Sequence, residues 1–320
     1  MDEWEGSVMG DSQLPKVSLI IPAYNAEKYV LDAIRSIDAQ RYSPLEILLV
    51  DDGSTDGTVG LVKHAAPHVK VVQQANAGAA AARNTGLKVA SGELVTFLDA
   101  DDGWFPGKLA AQVDYLMRHP EVNVVFHKWL VWQPNENGQF ATPVQPEEKN
   151  ANEIDPDKSG WLYTRLLFDC IVHTSSVMLR RKVIDQIGYF KTDLVIGEDY
   201  DYWLRVSRLF EMHKLDKTYS YYRETPGSLT KRPYPENNEY RVLMNAINTW
   251  GLAEVNGLSI QPEKIAGRLH QMMFDFGYGH YHRGVPSVAR SAFAQALKHS
   301  PVNWRTWAYL FLASLKAMRQ

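Results

Sequence analysis

One cysteine, Cys170, stands in a chain of 320 residues. An intramolecular disulfide is excluded, and with it the small secreted scaffolds that depend on such bridges. No apolar run is long enough to cross a bilayer. The first residues, MDEWEGSVMGDSQLPK, carry acids where a secretory leader has a basic patch and then an apolar stretch. The location expected from both absences is cytoplasmic. A strong excess of charge is missing too. The chain has 34 Lys and Arg against 37 Asp and Glu, a net charge of −3. That argues against a nucleic-acid partner, which needs a basic face to neutralise phosphates. Two phosphate-cradling loops are also absent. No G-x-G-x-x-G follows the first apolar run, and no G-x-x-x-x-G-K-[ST] occurs anywhere.

Short apolar runs punctuate the first part of the chain: VSLIIP (17–22), EILLVD (46–51), KVVQ (70–73) and ELVTFLD (93–99). They lack the alternation of a half-exposed strand, which suits strands covered on both faces. Between the first two, Tyr29, Val30, Ala33, Ile34 and Ile37 recur at helical spacing, and 78–92 and 105–120 read as further helices. Alternating strands and helices predict a doubly wound α/β domain with helices on both faces of the sheet. After VNVVF (122–126) the pattern changes. A hairpin is expected over 127–144, with Asn137 and Gly138 at its turn, followed by a surface excursion over 145–160. Helices are expected at 161–169, 182–187 and 199–210, a strand at 175–180, and an all-helical region from about 237.

Within that last region, Gly277, Gly284, Ala289, Phe293, Ala296 and Pro301 fall at spacings resembling one tetratricopeptide repeat over 270–301. A lone repeat cannot bury its own face, so a helical pair docked on the main domain is expected. The final stretch, VNWRTWAYLFLASLKAMRQ, is aromatic and apolar with a basic end. It is either buried in the helical region or a peripheral contact with the inner face of a membrane.

Ligands of open α/β sheets sit beyond the carboxyl ends of the strands. PAYNAEKY (22–29), DDGSTDGT (51–58) and DADD (99–102) each follow a strand, so three polar clusters fall on one sheet edge. Asp99, Asp101 and Asp102 crowd into four residues and repel one another, which favours a cation. Mg²⁺ or Mn²⁺ takes carboxylate oxygens and bridges them to substrate phosphates. Such an ion would replace the missing glycine-rich loop.

VSLIIPAYNAEKYV, ILLVDDGSTDGT, NAGAAAARNTGLKVASGELVTFLDADD and GEDYDYWLRV, in that order over about 16–230, resemble the successive signatures of glycosyltransferase family 2. The resemblance implies the GT-A fold and inverting transfer of a sugar from a nucleotide-diphosphate donor, a UDP-sugar first. It implies Pro22, Tyr24 and Glu27 along base and ribose, Asp52 accepting from the base, and Arg83 near base or diphosphate. Asp99 and Asp101 would form the D-x-D element, with Asp101 on ribose or metal and Asp102 holding the metal most directly. Asp199 is the implied general base, with Glu198 the alternative. The loop YYRETPGSLTKRPYP would bring Arg223, Lys231 and Arg232 over the diphosphate as a lid. His173 and Trp203 are the acceptor-side candidates.

The expected organisation is a flexible terminus (1–11), a GT-A domain (12–235) and a helical region (236–320). The acceptor expected by analogy is a glycan or a lipid-linked sugar. A sugar-1-phosphate nucleotidyltransferase would need a glycine-rich basic loop where this chain has PAYNAEKY. A phospho-receiver module is far shorter. A catalytically silent nucleotide-binding scaffold would not require carboxylates at every motif.

Overall fold

The computed structural model describes residues 14–148, 151–225 and 234–318. The expected terminus 1–11, Lys231 and Arg232 lie outside them. The first part is built as β1 (Val17–Ala23), α1 (Val30–Asp38), β2 (Leu45–Asp51), α2 (Thr58–Ala65), β3 (Lys70–Gln73), α3 (Ala79–Val89) and β4 (Leu94–Phe97). These strands are parallel in the order β3-β2-β1-β4. Every residue of β1 is buried. Ile20, Leu48 and Val50 enter one apolar layer, while Leu19, Ile21, Ile47 and Leu49 enter the layer on the opposite face. With both faces covered, a period of two has no polar side to show, which explains the unbroken apolar runs.

Next come β5 (Gly103–Trp104), α4 (Lys108–Arg118), β6 (Val124–Trp132), α5 (Tyr163–Leu166), β7 (Met178–Arg180), α6 (Arg181–Ile187), α7 (Glu198–Val206) and β8 (Met212–Arg223). They extend the sheet to β3-β2-β1-β4-β7-β6-β8-β5. The antiparallel pairs β4–β7 and β6–β7 turn it into a mixed sheet. Two expectations are corrected here. No hairpin forms over 127–144. Gly138 does take a positive φ of 74°, but residues 133–148 form no strand to pair back on β6. Instead β6 pairs in parallel with β8, from Val124 opposite Met212 to Trp132 opposite Arg223. The twelve-residue β8 went unread because MHKLDKTYSYYR mixes charge and tyrosine with few aliphatics. The expected helix over 161–169 contracts to the single turn of α5.

The chain closes with α8 (Asn238–Trp250), α9 (Pro262–Arg283), α10 (Pro286–His299) and α11 (Trp304–Ala317). Val242, Leu243 and Ala246 of α8, with Ile265 and Leu269 of α9, share the apolar layer that covers the sheet. The first helices of this region thus complete the main core. Farther along, α9 and α10 meet closely at Gly277, where a Cβ would come within 2.9 Å of the Phe293 ring. The helical pair expected over 270–301 forms, with small residues at its contact; its repeat-like spacing carries no further structural meaning here.

Candidate active site

The sheet edge beyond β1, β2 and β4 collects the polar clusters. The loops after β1 and β2 are latched to one another. Asn25, at φ 48°, receives a hydrogen bond from the Thr55 amide at 2.8 Å, and its own amide donates to Ser54 Oγ at 2.9 Å. Glu27 Oε2 accepts from the Gly57 amide at 3.0 Å, at the start of α2. Pro22 is buried inside β1, whereas Tyr24 is exposed at the edge. Asp52 has a structural task. Its Oδ1 accepts from Gln74 Nε2 (2.7 Å) and the Ala77 amide (2.9 Å), and Oδ2 from the Gly78 amide (2.8 Å). The carboxylate therefore pins the entry to α3. Next to it, Gly53 holds φ 77°, and a Cβ there would sit 2.9 Å from the Asn76 nitrogen. Glycine is required at that turn.

The DADD turn closes through the Asp102 amide, which donates to the Asp99 carbonyl at 3.0 Å. Beneath it lies Ser175, in a 3-10 turn just before β7. Ser175 Oγ donates to Asp102 Oδ2 at 2.8 Å and accepts from the Asp99 amide at 3.1 Å. The Arg223 amide donates to Asp102 Oδ1 at 3.1 Å. The Asp102 side chain has no exposed surface. Burial, then the charges of Asp101 and Asp99, push its carboxyl well above the ordinary range. Each Asp102 oxygen thus accepts one hydrogen bond inside the protein, and the side chain expected to hold a metal most directly is the most deeply shielded of the three acids.

Asp101 keeps some exposure and its carboxyl is pushed up to about 6, by burial first and by Asp99 second. Among the described residues no three His, Cys, Asp or Glu side chains converge into a ready metal cage. A Mg²⁺ or Mn²⁺ held by one or two carboxylates plus substrate phosphates needs no such cage. The crowded Asp101 and Asp102, both with raised proton affinity, form a donor set that fits that mode, and Asp101 is the more exposed of the two.

Arg83, from the middle of α3, joins the turn to the second acidic cluster. Nη2 donates to Asp99 Oδ1 at 2.7 Å and Nη1 to Glu198 Oε1 at 2.8 Å. Its remaining Nε is buried without a partner. Burial works against the charge, but Asp99, Glu198 and Asp199 outweigh it, and the guanidinium stays ionised. For Asp99, burial likewise raises the carboxyl, and the Arg83 pair overcomes it to leave the group below its usual value. Two of its N–H groups are spent on Asp99 and Glu198, so the buried side chain acts first as a clamp between the two acidic clusters, a task the expected place near base or diphosphate did not include.

Glu198 and Asp199 open α7 behind Gly197, whose φ of 86° sets the turn into the helix. Glu198 is held by Arg83. Asp199 Oδ1 accepts from the Tyr200 amide at 2.7 Å, and its Oδ2 lies 3.4 Å from Thr174 Oγ1. Burial raises the Asp199 carboxyl, with Arg83 opposing and Asp99 adding. Among the described residues no cation is paired with it directly, in contrast to Glu198.

Three other candidates settle differently. Arg223, expected over the diphosphate, is buried. Its Nε donates to the Asp101 carbonyl at 2.9 Å, its Nη2 meets Asp32 at 3.3 Å, and Trp132 and Tyr29 stack on the guanidinium at 4.1 and 4.4 Å. It braces the turn from behind, which corrects the lid reading for this residue. Trp203 is wholly buried against Phe190 and Tyr202, so the acceptor reading is corrected to a core role. His173 stays at the site, stacked on Trp129 at 5.4 Å, with Nε2 3.8 Å from Asp102 Oδ2. Burial lowers it to about 4, so the ring is neutral at ordinary pH. Burial also pushes the Cys170 thiol well up, away from thiolate chemistry.

Ser175 is the residue that sequence reading missed. Its signal was a run of hydroxyls, Thr174–Ser176, set immediately before an apolar strand.

The fold resembles that of Staphylococcus aureus TarS solved with UDP-GlcNAc (22% identity, TM-score 0.64, covering 95% of this chain and 88% of that one). It also resembles the Pyrobaculum calidifontis mannosyltransferase PcManGT solved with GDP-Man and Mn²⁺ (21% identity, TM-score 0.53, covering 99% and 90%). Both share the GT-A architecture. In sequence, an uncharacterized glycosyltransferase of Nostoc sp. is 34% identical over 178 residues, 54% of this chain and 53% of that protein. The uncharacterized Bacillus subtilis glycosyltransferase EpsJ is 29% identical over 255 residues, 75% of this chain and 72% of its own length. The match to the Nostoc protein thus spans about half of that relative. The profile described as "Glycosyl transferase family 2" matches residues 18–188, more than half of the chain. With the acids of the sheet edge in place and this match across the strands that carry them, the chain belongs to glycosyl transferase family 2.

Proposed function

We propose that the protein transfers a sugar, with inversion, from a UDP-sugar to a hydroxyl of a glycan or lipid-linked acceptor. The carrying observation is the division of labour around Arg83. One guanidinium ties down Glu198 and Asp99, leaving Asp199 without a direct cationic partner beside them. A single uncommitted carboxylate suits one direct displacement. The acceptor O–H proton passes to Asp199 as its oxygen bonds to the anomeric carbon, and the sugar–diphosphate bond breaks with its electron pair leaving on the diphosphate oxygen.

Burial keeps Asp199 a stronger base than an ordinary aspartate, which favours proton capture near neutrality. Tyr24 and the latched loops after β1 and β2 form the wall for base and ribose, with Asp52 fixing the loop that borders it. Arg83 and Arg223 are both committed to protein partners. We assign the diphosphate charge to a Mg²⁺ or Mn²⁺ that Asp101 would hold; Lys231 and Arg232, the other candidates from the sequence, lie outside the described residues. When bound, such an ion stabilises the charge growing on the leaving diphosphate. TarS with UDP-GlcNAc supports a UDP-sugar, and PcManGT with GDP-Man and Mn²⁺ supports a divalent ion.

The test is release of nucleoside diphosphate from a panel of UDP- and GDP-sugars, with and without Mn²⁺ and simple glycoside acceptors. Acceptor-stimulated UDP release, with the anomeric configuration of the product opposite to that of the donor, supports the reading. Release of GDP alone replaces the donor, and retention of configuration sinks the mechanism.

A further inference from the structure

The last helix is apolar on the wrong side. α11 seats its inner face through Thr306, which hydrogen-bonds His270 at 2.9 Å, and through Ala313, packed with Ala289 and Phe293. Both are fully buried. At 3.6 residues per turn, Trp304, Trp307, Phe311, Leu315 and Met318 fall together on the opposite face. All five are exposed, Trp304 by 76% and Met318 by 77%. A helix at the surface of a water-soluble fold normally turns polar residues outward. This one presents an aromatic and aliphatic stripe, flanked by exposed Arg305 and Lys316.

Charge identifies what covers it. From residue 276 to residue 320 the sequence has six Lys and Arg and no Asp or Glu, in a chain whose net charge is −3. Every formally charged side chain in this last stretch is thus positive, and two of them, Arg305 and Lys316, stand on α11 itself. Tryptophan over an apolar face with flanking cations is the chemistry of the membrane–water interface, where the rings enter the headgroup level and the cations meet anionic lipid. α11 is 14 residues long, about 21 Å. No helix among the described residues is long and apolar enough to span. We propose that the outer face of α11 lies in the surface of an anionic bilayer, tethering the enzyme beside its acceptor without crossing.

The experiment is flotation of the full chain with vesicles of phosphatidylcholine alone and with roughly one third phosphatidylglycerol, at low and high salt. Wild type floats with the anionic vesicles, and the bound fraction falls as salt rises. Trp307→Ser with Phe311→Ser weakens partition by about a hundredfold, while UDP binding and the melting temperature are retained. Arg305→Glu with Lys316→Glu, which leaves the stripe intact, removes the preference for anionic lipid. The proposal is overturned if wild type stays with the protein fraction at every composition, or if the serine variant floats as well as wild type. It is equally overturned if light scattering shows a two-chain particle that those serines dissociate, since a second copy would then cover the stripe.

Discussion

The DADD turn and the start of α7 each set two acids side by side, and each treats its pair unequally. In the turn, Asp102 is locked by Ser175 and the Arg223 amide, while Asp101 stays partly exposed. In the helix, Glu198 is locked by Arg83, while Asp199 has only weak company. One acid of each pair is held by protein partners, and the proposed chemistry is assigned to the other. Adjacency in sequence says nothing about which is which, because neighbouring side chains diverge in a turn or a helix start. The two regions also lock their acids differently. The helix uses a buried cation that reaches both clusters, whereas the turn uses neutral donors. Neutral donors leave the turn's acids repelling one another, and that suits a site completed by an added cation.

The contrast breaks most sharply at Asp199. Asp199→Asn should lower kcat by about 10²- to 10⁴-fold, with the donor KM little changed, as measured by diphosphate release. Glu198→Gln should act differently, since it leaves Arg83 half-paired. Its main effect is then a lower melting temperature, read by calorimetry. The Asp199 carboxyl is raised above its ordinary value of 3.8. The base works ionised, so the rate should rise with pH through that raised value and then level off. A rate unchanged down to pH values near 4 would contradict the assignment.

Within the turn the effects are smaller and of opposite kinds. Asp101→Asn should abolish metal-dependent UDP binding yet leave the melting temperature unchanged or raised, because it removes repulsion from Asp99. Ser175→Ala leaves Asp102 Oδ2 buried without its donor and should cost about 1–3 kcal/mol of stability, read by denaturant unfolding. UDP affinity in that variant should fall less than in Asp101→Asn.

Much of this was legible in the sequence, and the failures share a cause. β1, β2, β3 and β4 announced themselves because both faces are apolar, and the acidic loops at their ends followed from topology. β8 did not, because its tyrosines and charges serve the site and the sheet edge at once. The preference for Asp199 over Glu198 came from family resemblance, and what the structure adds is that Arg83 pairs with Glu198. Arg223 and Trp203 were misplaced because their assigned roles depended on exposure, and the protein partners of Asp102 and Arg83 went unseen for the same reason. Burial of a charged side chain is decided by distant partners: Ser175 lies 73 residues from Asp102, and Glu198 115 residues from Arg83. Local pattern carries no record of such pairings.

The most direct measurement is calorimetric titration of UDP into wild type, Asp101→Asn and Asp102→Asn, each with Mn²⁺ and with EDTA. The account predicts binding to wild type that EDTA removes, and loss of the Mn²⁺ effect in Asp101→Asn. Asp102→Asn should retain metal-dependent binding at temperatures where it is folded, with a lower melting point. Metal-dependent binding that survives Asp101→Asn and disappears in a folded Asp102→Asn would reverse the assignment of the turn and contradict the account.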